Sequence, residues 1–182
     1  VVATPIGNLG DLSVRAAAVL RAVDRIYSED TRHSKTLLEH YGISTPLIAY
    51  HDYNEKRLVE NIIDKLRSGK EACALISDAG TPLISDPGFT LVRQAALAGI
   101  AVLTVPGPCA VTAALSISGL ATDRFVFEGF LPAQVRAREQ RLNAVRRECR
   151  TLVYYEAPHR IAKSLAAMCV VFGAHRQAVI AR

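Results

Sequence analysis

The apolar residues of this chain fall into short unbroken runs, separated by segments that repeat at helical spacing. Ala72-Cys73-Ala74-Leu75-Ile76 is an unbroken small apolar run, and residues 100–105 are another predominantly apolar run, the pattern of strands buried on both faces of a sheet. Val1-Val2-Ala3, Arg25-Ile26-Tyr27-Ser28 and Leu47-Ile48-Ala49 are shorter runs of the same kind. Between them the spacing predicts helices over 13–23 and 33–41, and a third through Leu58, Ile62, Ile63 and Leu66 that closes at Ser68-Gly69. The polar loop Tyr50-His51-Asp52-Tyr53-Asn54 leads into that third helix. A helix is predicted over 90–98, with Asp86 placed to cap it and Pro87 at its first position. Another is predicted over 109–118. Strands alternating with helices over residues 1–118 predict a parallel, doubly wound α/β domain.

Gly119-Leu120-Ala121-Thr122 reads as a linker, after which the alternation restarts. Strands are predicted over 124–128, 151–155 and 177–181, and helices over 134–147 and 161–171. Residues 122–182 therefore form a second α/β domain that is incomplete, because its pattern stops in mid-strand.

One loop stands out. Ser77-Asp78-Ala79-Gly80-Thr81-Pro82-Leu83-Ile84-Ser85-Asp86-Pro87-Gly88 is longer and stiffer than a strand-to-helix turn requires. It follows a buried strand, and ligands of parallel sheets bind beyond the carboxyl ends of the strands. Two aspartates there suggest a site, although a surface turn with capping residues accounts for the spacing equally well. Thr4-Pro5-Ile6-Gly7-Asn8-Leu9-Gly10-Asp11 is a second strand-loop-helix junction that offers backbone N–H groups to a ligand. It matches neither the dinucleotide-binding nor the P-loop signature. Glu29-Asp30-Thr31-Arg32, at the end of the second strand, suits either a charge network near a site or a helix cap.

Composition narrows the class. Half of the 182 residues are apolar, so a sizeable core is available. The longest apolar stretch, 95–105, is about half a bilayer span and ends at Pro106, so no membrane crossing is expected. No signal peptide is evident. Cys73, Cys109, Cys149 and Cys169 are scattered, which implies reduced thiols in a cytoplasm and no metal site. The net charge of +5 weakly favours a polyanionic partner. Arg136, Arg138, Arg141, Arg146, Arg147 and Arg150 stand against only Glu139 and Glu148. Arginine forks suit phosphate oxygens. Charge alone favours a solvated helix face, and no aromatic residue interleaves the stripe for base stacking.

The motifs also carry a resemblance. Ala3-Thr4-Pro5-Ile6-Gly7-Asn8-Leu9-Gly10-Asp11, Glu29-Asp30-Thr31-Arg32 and Ser77-Asp78-Ala79-Gly80-Thr81-Pro82 match one family in order, and so do Pro106-Gly107-Pro108-Cys109-Ala110, Phe127-Glu128-Gly129-Phe130-Leu131-Pro132 and Tyr155-Glu156-Ala157-Pro158-His159-Arg160. Together they resemble the bacterial 16S ribosomal RNA cytidine 2′-O-methyltransferases of the tetrapyrrole-methylase superfamily, over essentially the whole chain. That resemblance implies two α/β domains with S-adenosylmethionine in the cleft between them, a cytoplasmic homodimer, and 16S rRNA of the small ribosomal subunit as substrate. It implies a second domain that continues beyond Arg182. By the same resemblance, Pro5, Asp78, Leu83, Ile84, Cys109, Ala110 and Tyr155 border the methyl donor. With the family admitted, the arginine stripe is expected to meet rRNA phosphates.

Methyl transfer to a ribose hydroxyl is an in-line displacement at a sulfonium carbon, in which positioning carries much of the catalysis. The hydroxyl must lose its proton, so a general base helps. Asp30, Asp86, Glu156 and His159 follow strand ends and are the candidates, with nothing in the sequence to choose among them. Two further readings remain: a methylase of a tetrapyrrole precursor, and a non-catalytic RNA-binding module on the same fold. The motif spellings favour the rRNA enzyme over both.

Overall fold

A computed structural model of the chain describes residues 1–51, 53–69 and 71–182; Asp52, in the polar loop noted above, lies outside them. The chain divides into two compact units, Val1–Ala110 and Val111–Arg182.

In the first unit, strands β1 (Arg25–Ser28), β2 (Leu47–Ala49) and β3 (Cys73–Ile76) form a parallel sheet in the order β2-β1-β3. Ile26 pairs with Leu47 on one side and with Ala74 on the other. The N-terminal residues extend this sheet past β3. Val2 N–H donates to Leu75 O at 2.9 Å, and Val105 N–H donates to Val1 O at 2.8 Å. Val1-Val2-Ala3 thus occupies a strand's place between β3 and Val105, although only the bridge Val2 to Val105 is regular. The full strand expected over 100–105 does not form. Residues 101–104 are exposed, and only Val105 turns back into the core. At the sheet's margin these residues have no second partner to straighten them.

Helices cover both faces, as the unbroken apolar runs require. Ile26, Ala74 and Ile76 pack with Leu20 of α1 (Val14–Ala22) and with Leu37 and Leu38 of α2 (Thr31–His40). The alternate residues Tyr27 and Leu75 face the other way. They meet Val59, Ile62 and Ile63 of α3 (Glu55–Arg67), and Leu91 and Ala95 of α4 (Phe89–Leu97). Start signals in the sequence set two of these helices. Ser13 Oγ accepts the Ala16 N–H at 3.0 Å, and Asp30 Oδ1 accepts the Arg32 N–H at 2.8 Å. Such caps satisfy donors that the first helical turn leaves unpaired.

Helix α4 departs from expectation. It begins at Phe89 behind Gly88, whose side chain offers no cap, so Asp86 lies too far upstream to cap it and Pro87 precedes its first turn.

The second unit contains α5 (Ala110–Ser118, from its second residue), β4 (Phe125–Phe130), α6 (Val135–Ala144), β5 (Thr151–Tyr155) and α7 (Ile161–Phe172). Strands β4 and β5 are parallel, joined through α6. Leu131, Leu142 and Val171 form its small core. The strand expected over 177–181 is absent and those residues are exposed. A strand needs a ladder partner, and this segment pairs with none among the described residues.

Candidate ligand site at the carboxyl ends of the first sheet

Three loops converge beyond the first sheet. Thr4, at the end of the N-terminal run, forms an antiparallel bridge with Gly80 in the long loop after β3. Thr4 N–H donates to Gly80 O at 2.8 Å, and Gly80 N–H returns a bond to Thr4 O at 3.1 Å. The buried Thr4 hydroxyl donates to Ser77 O at 3.2 Å. From the third loop, Pro108 O accepts the Thr81 hydroxyl at 3.0 Å. Gly80 is required here because it adopts φ +89°, and an added Cβ would press on Ile6 Cγ2 at 3.3 Å. Pro5, Asp78, Leu83, Ile84 and Cys109 all belong to these three loops, and Ala110 opens α5 directly after the third. Tyr155 belongs to the second unit, at the end of β5, where its ring packs edge-on against Phe127 at 5.0 Å.

The long loop is strained. Leu83 and Ser85 have φ of +73° and +67°, which side-chain-bearing residues rarely adopt. Such strain persists only where surrounding structure enforces it, and it gathers at ligand sites. Asp78 Oδ1 accepts the backbone N–H of Asp30 at 3.0 Å, tying the end of β3 to the end of β1. Ser77 Oγ is buried with no hydrogen bond of good geometry.

The candidate bases separate by environment. The Arg32 guanidinium and backbone N–H hold the Asp30 carboxyl down at about 2. It is a cap and an ion-pair partner, with N–O 3.0 Å, and a weak proton acceptor. Asp86 moves the other way. Burial raises its pKa, the nearby Asp78 charge adds to the rise, and the approach of the Ser77 hydroxyl opposes it. Glu156 is engaged by structure. Its carboxylate accepts from the Ser164 hydroxyl and from its neighbour's N–H, Ala157, at 2.9 Å, and pairs with Arg160 Nε at 3.2 Å. Arg160 also donates to Leu131 O, so this network fastens the start of α7. His159 is exposed.

The arginines do not form one stripe. Arg138 is buried at 7% exposure and donates to Ala133 O at 3.3 Å. Arg150 is held by Glu148, with contacts of 2.9 and 2.7 Å. Arg141 lies 2.7 Å from a Glu128 oxygen. Arg136, Arg146 and Arg147 are exposed. Among the described residues no three His, Cys, Asp or Glu side chains are grouped to hold a metal, and no helix is long and apolar enough to cross a membrane.

Reasoning from sequence missed Thr4, Ser77, Gly80 and Thr81 as the residues that tie the loops together. Their one signal is that all four lie in Pro/Gly-bearing loops at a strand's carboxyl end.

The fold and this convergence of loops define a class, α/β proteins that place a ligand beyond the carboxyl ends of a parallel sheet. Residues 1–182 match the family model of the tetrapyrrole (corrin/porphyrin) methylases, and the chain belongs to that family. Proteins named ribosomal RNA small subunit methyltransferase I are similar to it throughout. Those of Pseudomonas aeruginosa and Xylella fastidiosa are each 60% identical over all 182 residues, and that of Vibrio cholerae is 54% identical. The chain spans 64%, 66% and 63% of these three relatives. Among solved structures, a diphthine synthase superposes with a TM-score of 0.69 at 15% identity, covering 93% of this chain and 70% of its own. A Thermus thermophilus uroporphyrin-III-C-methyltransferase gives 0.54 at 20% identity, covering 78% and 70%. At those identities the likeness is one of fold.

Proposed function

We propose that this chain carries out S-adenosylmethionine-dependent 2′-O-methylation of a cytidine ribose in 16S ribosomal RNA, within the small subunit and in the cytoplasm. The observation that supports it most is identity of 60% along the whole chain to relatives named for that class of substrate. The site residues fit the methyl donor. The Asp78 carboxylate suits its ammonium or sugar hydroxyls, and Pro5, Leu83 and Ile84 suit its flat base. When bound, the donor supplies a methyl group on an electrophilic sulfonium.

The chain's own residues then have three tasks. The strained loop holds Leu83 and Ile84 in place without a search over conformers. Asp78 fixes the loop to β1 through the Asp30 N–H. Asp86, whose pKa burial raises, takes the ribose proton. The exposed Arg136, Arg146 and Arg147 meet rRNA phosphates.

The function is tested by tritiated methyl transfer into small ribosomal subunits, free 16S rRNA and a porphyrinogen in parallel. Label in the RNA alone supports the assignment; label only in the porphyrinogen defeats it. Calorimetry tests the donor site. Asp78→Ala is expected to lose at least tenfold in affinity, about 1.4 kcal/mol. Equal affinity in the two proteins would remove Asp78 from the site.

We further infer a homodimer, because the small-residue helix α5 leaves Ile117 78% exposed. Sedimentation is expected to show a dimer at tens of micromolar, and a monomer at that concentration would count against it.

A further inference from the structure

Glu128 is the extra residue of a β-bulge. Along β4, Phe127 pairs with Val153 and Gly129 pairs with Tyr154, so Glu128 has no partner in the ladder. Gly129 takes φ +66°, a conformation glycine adopts without strain. The bulge turns the Glu128 carboxylate inward, where its side chain is only 6% exposed. Oε2 lies 2.7 Å from Arg141 Nε, on a side chain that is 53% exposed. The N–H is not aimed along this contact, and Oε2 accepts no hydrogen bond of good geometry. The two groups therefore meet as charges. No guanidinium N–H of Arg141 is committed to a hydrogen bond among the described residues. Beside them, the buried Tyr154 hydroxyl has no partner, and burial followed by the Glu128 charge pushes its pKa up to about 12.

A buried carboxylate with one cationic partner is a poor source of stability, because desolvation offsets much of the attraction. It does fix where that cation stands. The other arginines of the region lack this combination. Arg138 is buried, Arg150 has its donors on Glu148, and Arg136, Arg146 and Arg147 are exposed with the rotamer freedom of surface side chains.

We propose that Arg141, positioned by Glu128, is a pre-oriented binding site for one phosphodiester group of a nucleic-acid strand, beside the more mobile exposed arginines of the second unit. Glu128 holds the Nε side of the guanidinium, and the outward nitrogens take two phosphate oxygens in a fork. Glu128 is a positioning residue here, acting only through Arg141. The proposal rests on the RNA reading above and sharpens it to one residue pair.

The test is binding of a fluorescein-labelled oligocytidylate, followed by anisotropy over a salt series. Arg141→Gln is expected to lower the log–log salt slope by about 0.7, the single-strand value for one phosphate. Glu128→Gln keeps the cation, so the slope holds while affinity falls about three- to tenfold, the scale of ordering one rotamer-rich side chain. Arg141→Lys is expected to behave as Glu128→Gln does. In the Arg141→Gln background, Glu128→Gln is expected to have no further effect. An unchanged slope in Arg141→Gln overturns the proposal. So does equal weakening by Glu128→Gln in both backgrounds, which marks a general effect on folding. A parent protein that binds S-adenosylmethionine but no oligonucleotide at any salt defeats the RNA reading itself, and this proposal with it.

Discussion

Gly88→Ala is expected to lower stability by about 2–4 kcal/mol, the sum of overpacking and a strained φ. Gly88 sits at φ +122°, and a Cβ built there falls 2.5 Å from Leu75 Cδ2 and 3.4 Å from Leu83 Cδ1. Leu75 is a buried core residue between α3 and α4, so it has little room to swing aside. Relief then requires the loop to shift, which carries Leu83 and Ile84 with it. Thermal unfolding followed by circular dichroism is expected to show a midpoint lower by roughly 10 °C. S-adenosylmethionine affinity is expected to fall alongside. Gly99 provides the control, since it has φ +71° but open space where a Cβ would sit. Gly99→Ala is expected to lose only the cost of the left-handed conformation, about 1–2 kcal/mol. If the two variants unfold together, close packing of the loop on Leu75 does not place it.

The same loop shows how far the sequence could be read. Its length, its prolines and glycines, and its place after a buried run are local features, and they singled out the loop as the candidate site. The positions of β1, β2 and β3 were legible for a related reason: a strand buried in a sheet admits few polar residues, so its limits show as changes of composition. The capping role given to Asp86 failed because a cap signal is only a residue type at a spacing. Positive φ at Leu83, Ser85 and Gly88 changes how many residues the turn consumes, and the helix starts three residues beyond Asp86.

Edges were less legible than centres. Residues 100–105 have the composition of a buried strand, but a strand needs a neighbour on each side to be buried. At the margin of the sheet only Val105 keeps its place. Residues 177–181 fail for want of any ladder partner among the described residues. Side-chain commitments were the least legible. The run of arginines looked uniform, yet the fold buries Arg138, pairs Arg150 with Glu148 and sets Arg141 against Glu128. Period-two alternation gives no reason to single out Glu128. Only the glycine that follows it hinted at a bulge.

Asp86→Asn is expected to slow methyl transfer by about 10²–10⁴-fold, the range for losing a general base, and to leave S-adenosylmethionine affinity unchanged. The argument turns on the direction of its pKa. Burial, opposed by the Ser77 hydroxyl and helped by the charge of Asp78, raises the folded-state value above its ordinary one. Between the unfolded value, about 3.9, and the raised folded value, the folded protein binds the extra proton. The fold is therefore most favoured below that window and loses stability as pH rises through it. At neutral pH a half-buried carboxylate is carried at the expense of stability, and asparagine removes that charge. Asp86→Asn is accordingly expected to be slightly more stable than the parent at neutral pH, and to lose that advantage as pH falls below the window. The same shift predicts the kinetics: parent kcat rises with pH through the raised pKa and then levels, while the variant lacks that limb. A variant with parental kcat would exclude Asp86 as the base. A slow variant with the parental pH limb would place the base at another residue. A carboxylate held above its ordinary value is a better acceptor for a ribose proton than one held down by a cation, and that separates Asp86 from the Arg32-paired Asp30.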